Sequence, residues 1–313
     1  MKLTMRNYRY ESDYQRIRDF LRRVFLANDY WENSWHVNRF DYWRWHGILN
    51  MGDGQLETDV FIWETTEGDI AAVLNREAPG SVWLQIDPSY RTEELEEEMI
   101  GVAGRHLTAA AGDGLRRHHI WSEDNDKLRQ GVLRRLGYAK TAKVEYQRRR
   151  SMGNPIPDVS IPDGYTIRSL LNSDDLPARS WVTWRAFHPN EPDDAYQGWQ
   201  WYDNIEKAPL YRRDLDIVAV APDGEFAAFC TVWYDDVTCT AQFEPVGTSP
   251  EHQRRGLARA VMTEGLCRLK DLGCKFAFVG SWNDATHALY GEKMGFGDYI
   301  VFEAWKKKTV ETA

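Results

Sequence analysis

Cysteine is scarce and unpatterned. The chain of 313 residues has four, Cys230, Cys239, Cys267 and Cys274, with no Cys-x-x-Cys pair and no histidine partner at ligand spacing. That argues against a disulfide framework or a zinc site and fits thiols of a reduced cytoplasm, the compartment expected here. Long apolar runs are also missing. No stretch approaches the roughly 20 apolar residues that span a bilayer, so no membrane partner is expected. The start, Met1-Lys2-Leu3-Thr4-Met5-Arg6, lacks the apolar core of a secretion signal. A basic face is lacking too. Net charge is −9, from 39 basic and 48 acidic side chains. Residues 1–150 hold 24 acidic and 23 basic groups, and residues 151–313 hold 24 and 16, so −1 and −8. Nucleic acid would want the opposite sign. A small cationic partner drawn to the second half fits it.

What is present is length and repetition. The chain is long enough for two domains, each with its own core. Ser151-Met152-Gly153-Asn154-Pro155-Ile156-Pro157-Asp158 reads as a linker, with two prolines and a glycine after the basic run Arg148-Arg149-Arg150. The expected division is 1–150, a linker at 151–158, and 159–313. The halves resemble each other. Asn125 precedes Gly137-Tyr138 as Asn283 precedes Gly295-Phe296. Trp43-Arg44-Trp45 parallels Trp199-Gln200-Trp201, and Pro88 parallels Pro250. Offsets of 158, 158, 156 and 162 imply a duplicated domain with small insertions.

Each half reads as strand, two helices, several strands, helix, strand, helix, strand. In the second half, strands are expected at 165–170, 215–221, 226–234, 238–246, 275–280 and 298–306. Helices are expected at 174–187, 194–208, 256–272, ended by Gly273, and 283–294. The class is α/β in the α+β sense, with a mixed, mostly antiparallel twisted sheet flanked by helices in each half.

The segment from Glu244 to Ala258 carries the chemistry. A strand ends, a loop follows, and a helix begins at Gly256. Unpaired N–H groups and the helix dipole make that point an anion site suited to phosphate. Gly256 lets the backbone approach closely, Ala258 keeps the next turn slim, and Arg254 and Arg255 can add charge. The loop resembles the acyl-CoA signature of the GNAT N-acetyltransferase family, Gln/Arg-x-x-Gly-x-Gly/Ala, at Gln253, Gly256 and Ala258. A second resemblance stands at family spacing, from Asn283 to Tyr290 and then Gly295-Phe296. The resemblance implies two tandem domains of this fold. It implies acetyl-CoA as co-substrate, without metal, held by Val246, Thr248, Gln253, Arg254, Arg255, Gly256, Leu257, Ala258 and Asn283. It further implies direct transfer of acetyl to a primary amine of a small acceptor.

In that reading Tyr290 protonates the departing thiolate, and Glu244, on the strand before the loop, takes the amine's proton. The N–H of Val246 polarises the carbonyl. Tyr290 and Glu244 have plainer alternatives: a core tyrosine, and a surface or structural glutamate beside Pro245. The acceptor is expected among the aromatics and carboxylates of the early helices, at Asp194, Trp199, Trp201 and Tyr202. Trp181 and Trp184, three apart, read as core. In the first half Glu94 replaces the critical glycine, further glutamates crowd the helix start, and Val132 stands where Tyr290 stands. That half is expected to be degenerate and without cofactor; a ligand pocket lined by Trp31, Trp35, Trp43 and Trp45 is its alternative use. A non-catalytic acyl-CoA sensor or scaffold is the rival for the whole chain. Oligomeric state is not written in the sequence.

Overall fold

Alternating apolar residues become strands and apolar stripes at helical spacing become packed helices in both halves of the computed structural model. It describes residues 2–31, 33–110 and 116–307. The chain divides into two units, Met1–Tyr146 with the chain from Ile300 onward, and Gln147–Tyr299.

The first unit contains β1 (Thr4–Asn7), α1 (Glu11–Ala27), β2 (Val60–Glu64), β3 (Ile70–Ala78), β4 (Ser81–Ile86), α2 (Glu93–His106), β5 (His119–Glu123), α3 (Lys127–Arg135) and most of β6 (Tyr138–Ser151). Strands β1 to β4 pair antiparallel in sequence order. Strands β4 and β5 run parallel, in register only at Ser81↔His119 and Val82↔Ile120. Val82, Leu84 and Ile86 face α2, whose Leu95, Met99, Ile100 and Ala103 are buried against them. Trp83 faces the other way, toward Ile17, Phe20, Leu21 and Val24 of α1. This is the two-sided burial expected of a period-two strand between helical layers. Trp35 and Trp43 belong to that core, each 2 % exposed, whereas Trp31 and Trp45 are half-buried, so two of the four tryptophans suggested for a pocket are core instead.

The second unit contains the end of β6, then β7 (Thr166–Ser169), α4 (Leu176–Phe187), β8 (Asp216–Val220), β9 (Phe226–Asp235), β10 (Thr240–Thr248), α5 (Leu257–Asp271), β11 (Phe276–Ser281), α6 (Asp284–His287) and the start of β12 (Asp298–Lys307). Strands β7 to β10 pair antiparallel and β10 with β11 parallel. Helix α5 buries Leu257, Ala260, Val261, Met262, Leu266 and Leu269 on the sheet. It ends as expected at Gly273, whose φ is +74°. There Gly273 N–H reaches Lys270 O and Cys274 N–H reaches Leu269 O, a Schellman cap.

Three expectations need correction. The boundary does not leave each half whole, because it falls inside two strands. Residues 302–306 of β12 pair antiparallel with 119–123 of β5, so ladder hydrogen bonds place the C-terminal strand in the first unit. The expected linker is not loose: Ser151 ends β6, Met152 N–H bonds Lys275 O at 2.9 Å, and Met152 is buried in the second core. The expected helix over 194–208 shrinks to a 3-10 turn at Asp193–Ala195 and a short helix at Tyr202–Ile205. Gly198, at φ +95°, breaks it.

The duplication also shows in a pairing that the matched motifs do not reveal. Arg6 grips Asp13 with both nitrogens at 2.7 Å, and Asp13 also accepts from Arg9 N–H. Arg168 grips Asp175 at 2.7 and 2.8 Å, and Asp175 accepts from Leu171 N–H. The same ion pair fastens the first strand to the first helix in both units.

Candidate active site

Strands β10 and β11 are held in register over three pairs, Thr240↔Phe276 to Gln242↔Phe278, and no further pair follows among the described residues. Beyond them the strands part and leave a cleft. On its other side β10 carries a bulge. Phe243 lies opposite Val232 and Val246 opposite Cys230, so Glu244 and Pro245 face one residue of β9. A bulge re-aims a side chain and kinks its strand. Here it sets half-buried Glu244 beside the cleft. The Trp233 indole donates to the Glu244 carbonyl, and Gln242 Nε2 donates to Glu244 Oε2 at 3.3 Å. At Gly247 there is no room for a side chain, since a Cβ would lie 2.4 Å from the Phe229 ring. Helix α4 thereby comes close enough for Ala186 to touch the same point.

The loop after β10 forms a 3-10 turn at Pro250–His252, matching Pro88–Tyr90 in the first unit. Gly256 is the N-cap of α5 at φ +83°, with no side-chain cap and nothing within 4 Å of where a Cβ would stand. The first-turn N–H groups of Leu257, Ala258 and Arg259 have no intrahelical acceptor, so the dipole's positive end is presented unneutralised. Arg254 takes φ +60°, a strained conformation for a non-glycine residue. Its guanidinium makes no ion pair among the described residues. The other loop side chains are tethered. Gln253 Nε2 reaches Thr248 O at 3.4 Å. Arg255 reaches Tyr165 Oη and Glu251 O. The Leu257 side chain is core, leaving only its amide for an anion. The Glu251 carboxyl, held by the Ser249 hydroxyl and by Arg185 of α4, is pulled down to about 2.

Asn283 caps α6 through a capping box with Thr286. The chain then widens into a π-helical turn, Ala288–Lys293, which carries Tyr290. Tyr290 is buried, and burial first, then Cys230 and Glu244, lifts its phenol well above the ordinary value. The hydroxyl therefore keeps its proton at neutral pH, and it has no hydrogen-bond partner among the described residues. Tyr290 and Glu244, 46 positions apart in sequence, feel each other's charge at one cleft.

The acceptor-side expectations divide. Tyr202 is 2 % exposed, its hydroxyl bonded to Asp216 in a buried cluster with Arg179, so it lines no pocket. Trp201 is half-buried and bonds Ser180 Oγ at 2.7 Å. Trp199 is half-buried, and Asp194 is exposed in a 3-10 turn. Trp181 and Trp184 are not core. They are half-exposed and stacked at 5.4 Å, Trp184 stacks on His188, and Tyr196 meets Trp181 edge-on. Helical spacing puts both on one face, but that face lies outside the second core cluster.

The corresponding place in the first unit is filled. Thr92 caps α2 by accepting from Leu95 N–H. Glu96 stands where Ala258 stands and is fully buried. It accepts from Arg129 at 2.9 and 3.1 Å and from Arg91 at 2.9 Å. Arg129 also reaches Trp121 O of β5 and Leu84 O of β4, bridging the two strands where they part. Val132, in the place of Tyr290, is core. Counting four on from the first parallel pair leads to Glu244 in β10 and to Gln85 in β4. Gln85 is buried and committed to Trp35 N–H and Asn75. No base stands there.

Residues 176–296 match the acetyltransferase (GNAT) family. Similar curated proteins include a mycothiol acetyltransferase of Paenarthrobacter aurescens, 27% identical over 74% of this chain and 72% of the relative. Another mycothiol acetyltransferase, of Salinispora tropica, is 26% identical over 80% and 82%. Among solved structures, a GCN5-related N-acetyltransferase from Sphaerobacter thermophilus superposes with TM-score 0.64 at 16% identity over 97% of this chain and 95% of its own. A tandem GNAT protein from the clavulanic acid biosynthesis pathway superposes with TM-score 0.62 at 11% identity over 99% and 100%. At such identities the structures speak for the fold alone. No helix among the described residues is long and apolar enough to cross a membrane.

Proposed function

We propose that the chain is an acetyltransferase of the GNAT family whose second unit holds the one working site, moving acetyl from acetyl-CoA to a primary amine of a small cationic acceptor. The observation that carries this reading is the uncapped start of α5 at Gly256 beside a cleft between parted strands. The first unit closes both features with its own side chains.

The residues fit a pyrophosphate and its attached arm. The N–H groups at the α5 start and the guanidinium of Arg254 suit the charge, and the cleft suits the arm. When bound, acetyl-CoA supplies an acetyl group activated as a thioester. Glu244 accepts the proton that the attacking amine must shed as its nitrogen bonds the carbonyl carbon. The Val246 N–H donates to the carbonyl oxygen as charge gathers there. Tyr290, kept protonated by burial, donates to the sulfur as the carbon–sulfur bond breaks. Solvent then carries the proton from Glu244 back to Tyr290.

The half-exposed rings of Trp181, Trp184 and Tyr196, with exposed Glu191, Asp193 and Asp194 nearby in sequence, suit a cationic amine with apolar or sugar-like bulk. The names of the curated relatives make a mycothiol-type amine the first acceptor to try.

The test is calorimetric titration of acetyl-CoA into the wild type and into Gly256→Glu. One site per chain is expected. Its affinity should fall at least about 100-fold in the variant, through strain at φ +83° and a carboxylate at the phosphate position. Two sites, or unchanged affinity, would move the site elsewhere. Tyr290→Phe should keep acetyl-CoA affinity and lose about 100-fold in kcat. Full turnover by that variant would remove Tyr290 from the chemistry.

A further inference from the structure

The π turn that carries Tyr290 is not repeated in the corresponding segment of the first unit, whose own π turn lies elsewhere, at Trp43–Ile48. Asn125 to Gly137 and Asn283 to Gly295 have the same spacing. In the first unit that segment runs as an ordinary α-helix, Lys127–Arg135. In the second it widens into a π-helical turn at Ala288–Lys293, where Met294 N–H reaches back to Leu289 O and Phe296 N–H to Tyr290 O. Chain length therefore does not force the π turn. π turns are uncommon and need support from outside their own ladder.

The support comes from the end of β6. The Arg148 guanidinium is buried and forks in three directions. Nε donates to Ser281 Oγ at 2.7 Å, at the end of β11. Nη2 lies 3.2 Å from His287 Nδ1, just before the π turn, and Nη1 donates to Phe296 O at 3.3 Å, just after it. Because a guanidinium only donates, His287 Nδ1 is the acceptor of that bond. Ser281 Oγ, 2.9 Å from the same nitrogen, closes the triangle. Against the middle of the turn stands Gly291, where a Cβ would lie 2.8 Å from Arg148 Nη1. The fork thus touches the π turn before, within and after, and a bare residue leaves it room.

We infer that Arg148 is a positioning residue for acetyl transfer: it braces the π turn and so aims the Tyr290 hydroxyl. This rests on the reading of Tyr290 as the proton donor. Arg148 touches neither substrate nor sulfur in this account, and its effect passes entirely through Tyr290. Lysine cannot replace it, because an ammonium cannot make a planar three-way fork.

The test is a double-mutant cycle on the full chain, reading kcat, acetyl-CoA affinity and melting temperature together. Arg148→Met should lower kcat about 10- to 100-fold, with acetyl-CoA Kd within about twofold. On the Tyr290→Phe background the same change should lower kcat less than about twofold, since the path it acts through is already cut. Arg148→Lys should behave like Arg148→Met. Gly291→Ala keeps the charge and favours helix. Its methyl pushes on the Arg148 fork without burying an unpaired group, so it should lower the melting temperature by only about 2–4 °C while lowering kcat, and it serves if the Arg148 variants fail to fold. Equal losses on both backgrounds, or full turnover by Gly291→Ala, would overturn the brace and leave Tyr290 standing. Full turnover by Tyr290→Phe alone would overturn both.

Discussion

Helix α2 of the first unit and helix α5 of the second begin at the same point of the same fold, and they begin in opposite ways. Helix α5 starts on a left-handed glycine with no side chain over its amides. Helix α2 starts on a threonine that caps it, with Glu96 buried one turn in and two arginines fastened to that carboxylate. Where β10 and β11 part, the second unit leaves a cleft, whereas the first fills the parting of β4 and β5 with Arg129. The first unit thus satisfies these groups with its own side chains. A carboxylate and a guanidinium of its own stand where an anion and an amide-bearing arm would bind. The comparison teaches that in this fold a binding site is largely a matter of what is left unsatisfied. The same backbone amides and carbonyls serve stability in one unit and, in the proposed reading, affinity in the other.

The largest effect should come from breaking the filled site. Arg129→Met leaves Glu96 buried with only Arg91 beside it, and should cost about 3–5 kcal/mol of folding stability. Chemical denaturation would read the loss, while acetyl-CoA stoichiometry should stay at one. Binding of a second acetyl-CoA by this variant would show that the plug alone had closed an otherwise competent site. A step smaller, Val132→Tyr installs the second unit's side chain in the first. It forces a phenol into a packed core, so a cost of about 1–3 kcal/mol and no gain in turnover are expected.

Acid should separate the units as well. Burial pushes His46, His118 and His119 of the first unit down to about 4, from an ordinary value near 6.5. The unfolded chain then binds protons before the folded one does. Stability from this source is full above about pH 6.5 and is lost as pH falls toward 4. Trp83 and Trp121, stacked at 5.2 Å, would report it by fluorescence before tryptophans of the second unit change. Simultaneous change of both signals would sink this prediction. The smallest contrast is at the helix starts. Thr92→Ala removes a cap bond and should cost about 1 kcal/mol, whereas Arg254→Ala at the corresponding place removes none and should cost less, compared by melting temperature.

Several of these features are legible in the amino-acid sequence. Gln253, Gly256 and Ala258 mark the strand-to-helix turn proposed as the anion site, because backbone conformation and lack of bulk are properties of single residues. Glu94 and Val132 mark the first half as altered for the same reason. Spacing singles out Tyr290. The aromatic side is less legible. Tyr202 looks like Trp199 and Trp201 in a polar, aromatic stretch, and only Asp216 and Arg179, brought from β8 and α4, decide that its ring is core. Trp181 and Trp184 look like core and prove half-exposed, because helical spacing tells which residues share a face and not what covers that face.

By itself, then, the amino-acid sequence determined the duplicated α/β units, the uncapped helix start at Gly256 and the tyrosine that follows Asn283, all of which rest on local periodicity or on one residue's stereochemistry. The tertiary structure alone decided which half keeps the C-terminal strand, that Arg129 and Glu96 fill the first site, and that Arg148 reaches Ser281, His287 and Phe296. Those are contacts between residues 33 to 187 positions apart. No local preference encodes them, since the partner of a buried charge is chosen by where the fold delivers the next one.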